Sequence, residues 1–160
     1  MATILFVCSA NRFRSVIADA KLRSLAEKES SAKSWIITSA GTWAEAGLPP
    51  LPQAIKFAES HGLDISQVRS KEVNREMLAH ATIVIVMTES QREALVLDFP
   101  QVKKKVFLLS EVFEGLSYDI PDPIERLDET PEELGEEICK LISSGYSRLE
   151  AFMSKPEGYS

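Results

Sequence analysis

The chain has 160 residues, 44% of them hydrophobic and 26% charged, which suits one domain with enough apolar material for its own core. No apolar run approaches the roughly 20 residues of a membrane helix, and Met1-Ala2-Thr3 carries neither a basic flank nor a cleavage site, so a cytoplasmic protein is expected. The formal charge of −6, from 18 basic and 24 acidic residues, argues against nucleic acid or an anionic membrane as partner, since both need a basic surface.

The charge is uneven. Residues 1–35 carry six Lys/Arg against three Asp/Glu, whereas residues 111–137 carry eleven acidic groups and the single Arg126. Basic groups gathered near one end of an acidic protein suit a small anion. Two cysteines, Cys8 and Cys139, give neither a disulfide framework nor a zinc-finger spacing, in keeping with a reducing compartment.

Thr3-Ile4-Leu5-Phe6-Val7 lacks polar alternation, as expected of a strand covered on both faces. After a short loop, the stretch from Ser15 to Ala26 is rich in helix formers with apolar residues three and four apart. Trp35 to Thr38 reads as a second strand ended by Ser39-Ala40-Gly41-Thr42, and prolines make Gly47 to Pro52 a stiff loop. Gln53 to His61 is a predicted helix closed by Gly62, and Asn74 to Ala79 begins another. Thr82 to Met87 is a third strand, followed by a helix from Glu89 to Leu97 that Pro100 ends. Val106 to Leu109 is the fourth strand. Thr130-Pro131 then caps a long final helix with one apolar face to Phe152, weakened at Gly145. Strands alternating with helices imply right-handed crossovers. The predicted fold is therefore α/β, a three-layer sandwich with a four-stranded parallel sheet and about five helices. It forms one domain over 1–154 with a flexible tail at 155–160.

The loop between the first strand and the first helix reads Cys8-Ser9-Ala10-Asn11-Arg12-Phe13-Arg14-Ser15. A loop that leaves a parallel strand and enters a helix turns its amides toward the ligand side of the sheet, where the helix N-terminus favours an anion. Phosphate or another oxyanion fits such a nest. Cys8, beside that terminus and a guanidinium, is expected to ionise readily and attack phosphorus. Arg14 can fork two N–H donors onto two phosphate oxygens, and the Ser15 hydroxyl can donate to the sulfur. Asn11 tolerates the left-handed conformation that a curled loop requires. A buried cysteine is often an inert small hydrophobe, but chance places Arg and Ser or Thr at these offsets from a cysteine in only about 1% of cases.

The leaving group needs a proton donor, and Asp119-Ile120-Pro121-Asp122-Pro123 follows the fourth strand on the same sheet edge. Asp122 is the candidate general acid, then general base for water. Alone, an Asp-Pro pair is ordinary turn chemistry.

Cys8 to Ser15, Ser39 to Thr42, the Gly47 to Pro52 loop and Asp122-Pro123 together resemble the low-molecular-weight protein tyrosine phosphatases, over a span from Thr3 to about Leu149. The resemblance implies a phosphocysteine at Cys8, phosphate held by Arg14 and the residues Ser9 to Phe13, and acid and base duty for Asp122. It implies that Asn11, Ser15 and Ser39 hold the loop and thiolate, with no cofactor or metal. Phosphorylated proteins or small aryl phosphates are the implied substrates. Departures are specific. Ala10 replaces the usual glycine, at a cost of about 1 kcal/mol if φ there is positive. Phe13 replaces a second loop cysteine, which leaves Cys8 open to irreversible over-oxidation. Val16 replaces a proline. Arg12 occupies a position at the mouth that is generally uncharged, where it is either a determinant of acidic or multiply phosphorylated substrates or a solvated surface arginine. Trp43 is either an aromatic wall for the substrate or a core residue, and Ile124-Glu125 stand where relatives often carry aromatics.

Arsenate reductases share fold and loop but need further redox cysteines, absent from residues 80–92. Protein arginine phosphatases typically have threonine where this chain has Arg12. A phosphopeptide-binding module without turnover is the alternative from a different class, disfavoured by the presence of Cys8, Arg14 and Asp122. His61 and His80 show no metal-ligand spacing, and His61 reads as a helix-end residue.

Overall fold

The computed structural model describes residues 2–29, 34–123 and 130–154. Its elements are β1 (Thr3–Cys8), α1 (Arg14–Lys28), β2 (Ile36–Gly41), α2 (Pro52–Ser60), α3 (Arg75–His80), β3 (Ile83–Val86), α4 (Glu89–Asp98), β4 (Val106–Leu108), α5 (Leu109–Glu114), α6 (Pro131–Ser144) and α7 (Tyr146–Ser154). The four strands form one parallel sheet in the order β2-β1-β3-β4. The expected α/β sandwich is therefore observed. Expectations about Ile124, Glu125, Arg126 and the tail 155–160 lie outside the described residues.

Both faces of the sheet are covered, which explains the unbroken apolar runs. Ile4, Phe6 and Cys8 point into a core shared with Ile17, Phe57, Val112, Ile138 and Leu149. Leu5 and Val7 point the other way, against Leu78 of α3 and Leu95 of α4. β1 is one of the two inner strands. Its neighbours β2 and β3 are reached in opposite directions along the sheet, and a ligand crevice opens beyond the strand ends at such a reversal.

Seven α-helices are seen among the described residues, against about five expected. Two causes account for the excess. β4 passes into α5 without a loop, where the Leu108 N–H donates to the Glu111 carboxylate at 2.8 Å. The long final helix is broken at Gly145 into α6 and α7, because α7 must turn back to pack on α5. A Cβ on Gly145 would sit on the Phe113 carbonyl oxygen, so only glycine permits this approach. Gly145→Ala is accordingly expected to destabilise the fold by about 1–3 kcal/mol through overpacking, read as a lowered denaturation midpoint at unchanged m.

The second strand also runs further than expected, through Ser39, Ala40 and Gly41. Parallel pairing with β1 extends to Cys8 opposite Gly41, and this tertiary ladder outweighs the weak strand propensity of Ser-Ala-Gly. The extension sets Ser39 beside the functional loop. No helix among the described residues is long and apolar enough to cross a membrane.

Candidate active site

Cys8 ends β1 and Arg14 begins α1, so residues 9–13 must turn from strand to helix within five positions. Asn11 makes this possible with φ at 58°, the left-handed region; among the described residues no other non-glycine takes positive φ. Ala10 is thus free of the strain its replacement of glycine would bring at positive φ. The loop also needs space beside it. A Cβ on Gly41 would collide with the Ser9 carbonyl oxygen, so glycine at the end of β2 lets the loop lie against that strand. No acidic side chain stands in the first turn of α1, leaving its amide terminus open to an anion.

A buried chain of hydrogen bonds fixes the sulfur's surroundings. The Lys71 N–H donates to Asn11 Oδ1 at 3.0 Å, which sets the amide's orientation. Asn11 Nδ2 therefore donates both protons, to Ser15 Oγ at 2.9 Å and to Ser39 Oγ at 3.0 Å. Ser15 Oγ, which accepts from Asn11, also lies within hydrogen-bonding distance of Cys8 Sγ at 3.0 Å. Asn11 is 1% exposed and its side-chain amide is engaged within the protein, so that side chain supports the loop and only the backbone of Asn11 is left to face a ligand. Behind this chain lies buried Asp19, paired with Arg23 at 2.7 Å. Burial pushes the Asp19 carboxyl above its usual range, against the opposing pull of Arg23, Lys71 and a Ser39 hydrogen bond.

A cavity of about 160 Å³ opens over the sulfur, lined by Cys8, Ala10, Arg12, Phe13, Arg14, Leu51, Asp122 and Pro123. The three residues expected to carry the chemistry, Cys8, Arg14 and Asp122, meet there although 108 positions separate the last two. Arg14 is 4% exposed, and its Nη1 donates to the Ile120 carbonyl at 2.9 Å while Nη2 reaches Asp122 Oδ2 at 3.4 Å. Arg12 is held rather than loose, with Nε on the Pro49 carbonyl at 2.8 Å and its own carbonyl accepting from Leu51 N–H at 2.9 Å. Phe13 lines the cavity and also belongs to the core, at 3% exposure. Trp43 is not a core residue: it is 77% exposed and does not line this cavity, although its N–H donates to the Ser9 carbonyl.

The residues alone did not point to Leu51, which forms one wall, or to Gln91, whose amide donates to Ser9 Oγ at 3.1 Å. The Thr88-x-x-Gln91 spacing of a capping box was a legible signal for half of the role of Gln91. Cys139 is packed against the core, and burial pushes its thiol up to about 11, unsuited to a redox relay. His61, expected only to end its helix, also stands 3.9 Å from both Glu132 and Glu136 on exposed surface outside the residues lining the cavity.

The low molecular weight phosphotyrosine protein phosphatase family model matches residues 3–156. A probable low molecular weight protein-tyrosine-phosphatase of Ralstonia nicotianae is 31% identical over 93% of this chain and 97% of its own length. Among solved structures, an arginine phosphatase of Geobacillus stearothermophilus superposes with a TM-score of 0.84 at 28% identity, covering 95% of each chain. A low molecular weight protein tyrosine phosphatase from T. tengcongensis gives 0.83 at 31% identity, covering 93% of this chain and all of its own. With a cysteine, an arginine and an aspartate converging on one small cavity at the strand ends, the chain belongs to the low molecular weight phosphotyrosine protein phosphatases.

Proposed function

We propose that the protein hydrolyses phosphomonoesters on proteins, preferring phosphotyrosine to the phosphoramidate of phosphoarginine, through a phosphocysteine and without a metal or other cofactor. The observation that carries this is the meeting of Cys8, Arg14 and Asp122 around one cavity, with Ser15 Oγ 3.0 Å from the sulfur. Cys8 Sγ attacks phosphorus, the S–P bond forms as the P–O bond to the substrate breaks, and protonated Asp122 gives its proton to the departing oxygen. Water then attacks phosphorus, Asp122 takes a proton from it, and the S–P bond breaks to return the thiolate. Arg14 and the loop amides from Ser9 onward hold the equatorial oxygens, where charge is spread in the transition state.

Arg12 supports the choice of substrate. It lines the same cavity, and its guanidinium is anchored on the Pro49 carbonyl. A neutral phenyl ring tolerates it, and acidic flanking residues gain from it, whereas the guanidinium of phosphoarginine meets a like charge worth about 1 to 4 kcal/mol near 4 Å. On a panel of phosphotyrosine, phosphoserine and phosphoarginine peptides, kcat/KM is expected to be highest for phosphotyrosine. Arg12→Met is expected to raise the phosphoarginine to phosphotyrosine ratio about tenfold. A wild-type preference for phosphoarginine would assign the protein to the arginine-directed branch instead.

Turnover of 4-nitrophenyl phosphate is expected to persist in EDTA. Asp122→Ala is expected to lower kcat/KM about 10²-fold for phenyl phosphate and much less for 4-nitrophenyl phosphate, whose leaving group departs without a proton. Equal losses on both substrates would remove Asp122 from the role of acid.

A further inference from the structure

The segment that carries Asp122 has no regular structure from Leu116 to Pro123, so something must hold it in register with Cys8. Gln91, 4% exposed in the first turn of α4, lies between the two. Its Oε1 accepts from Met87 N–H at 2.9 Å and Thr88 N–H at 3.0 Å, fixing the turn after β3. Its Nε2 donates to Ser9 Oγ, on the residue next to the nucleophile. The same turn grips the other segment: the Met87 carbonyl accepts from Ile120 N–H at 2.8 Å, and Glu89 N–H donates to Asp119 Oδ1 at 2.9 Å. Ile120 in turn receives Arg14. The bonds close a ring from Ser9 through Gln91, the turn and Ile120 to Arg14 and back along the loop.

We infer that Gln91 is a positioning residue for the phosphatase reaction proposed above, one side chain that registers the Asp122 segment against the Cys8 loop. Two backbone donors depend on its carbonyl oxygen and one loop hydroxyl on its amide, so no smaller or apolar residue can serve both. The inference rests on Asp122 acting as acid, and a displacement of about 1 Å suffices to weaken proton transfer.

The test compares phenyl phosphate with 4-nitrophenyl phosphate. Gln91→Leu, which removes both hydrogen-bonding groups without leaving a cavity, is expected to lower kcat/KM about tenfold more on phenyl phosphate, because only that substrate needs the acid. Added to Asp122→Ala, it is expected to leave the ratio between the two substrates unchanged. A purely structural role would lower both substrates equally. An unchanged ratio in Gln91→Leu, with wild type active and dependent on Cys8, overturns the inference and leaves the proposed function standing. If Gln91→Leu does not fold, Ser9→Ala cuts the tie at its loop end, and the same ratio test decides. Absence of turnover in the wild type would overturn the function itself.

Discussion

Cys8→Ser is expected to abolish turnover, lowering kcat by about 10⁴-fold or more, as loss of a nucleophile does elsewhere. The alcohol keeps the shape of the thiol but is a far weaker nucleophile, and no histidine is among the residues lining the cavity to serve it as base. The Ser15 hydroxyl, poised 3.0 Å from the sulfur with its other side engaged by Asn11, suits a group that carries negative charge rather than one that must lose a proton. Phosphate binding should survive the change, since the loop amides and Arg14 remain. The readouts are steady-state turnover, phosphate affinity by calorimetry, and mass spectrometry of acid-quenched wild type for an added phosphoryl group on the Cys8 peptide. Residual turnover within tenfold of wild type would reject the Cys8 thiolate as the required nucleophile. A variant that neither turns over nor binds phosphate would mean the loop had collapsed, and the Cys8→Ala protein would then have to be compared.

Much of this site is legible in the sequence because it is local. Cys8, Asn11, Arg14 and Ser15 lie within one strand-to-helix loop, so their spacing alone fixes which groups share a nest. Asp122 is legible more weakly, through its prolines and through the rule that loops after parallel strands gather at one edge. What the residues do not reveal comes from contacts across the fold. The wall at Leu51 depends on how the proline loop packs against Arg12, and the bridge at Gln91 depends on how closely β1 and β3 pair. Trp43 shows the limit of composition: a large aromatic in an apolar-looking stretch reads as core or wall, and the structure leaves it 77% exposed. The break at Gly145 was visible as a weak point in the helix, but the turn there is set by the Phe113 backbone, 32 residues away.

Arg14→Lys is expected to lower kcat/KM by about 10³-fold while preserving the net charge of the site. The guanidinium does two things that an ammonium cannot do at once. One nitrogen is bound to the Ile120 carbonyl at 2.9 Å, which pins the segment leading to Asp122, while a planar fork remains to follow two phosphate oxygens into the transition state. Lysine offers a point charge on a flexible stem, so it can hold either the carbonyl or the phosphate. Removing this link should therefore injure two steps: charge stabilisation, seen as an equal loss on all aryl phosphates, and acid positioning, seen as an extra loss on phenyl phosphate relative to 4-nitrophenyl phosphate. Arg14 is also 4% exposed and partly paired with Asp122 at 3.4 Å, so the substitution leaves a buried carbonyl short of a donor and should lower stability by about 1–3 kcal/mol. Denaturation midpoints measured alongside kinetics separate this from catalysis, because assays well below the midpoint report only the folded enzyme. Retention of more than a tenth of wild-type kcat/KM by the folded lysine variant would show that charge alone suffices at this position, and that the fork does not set the rate.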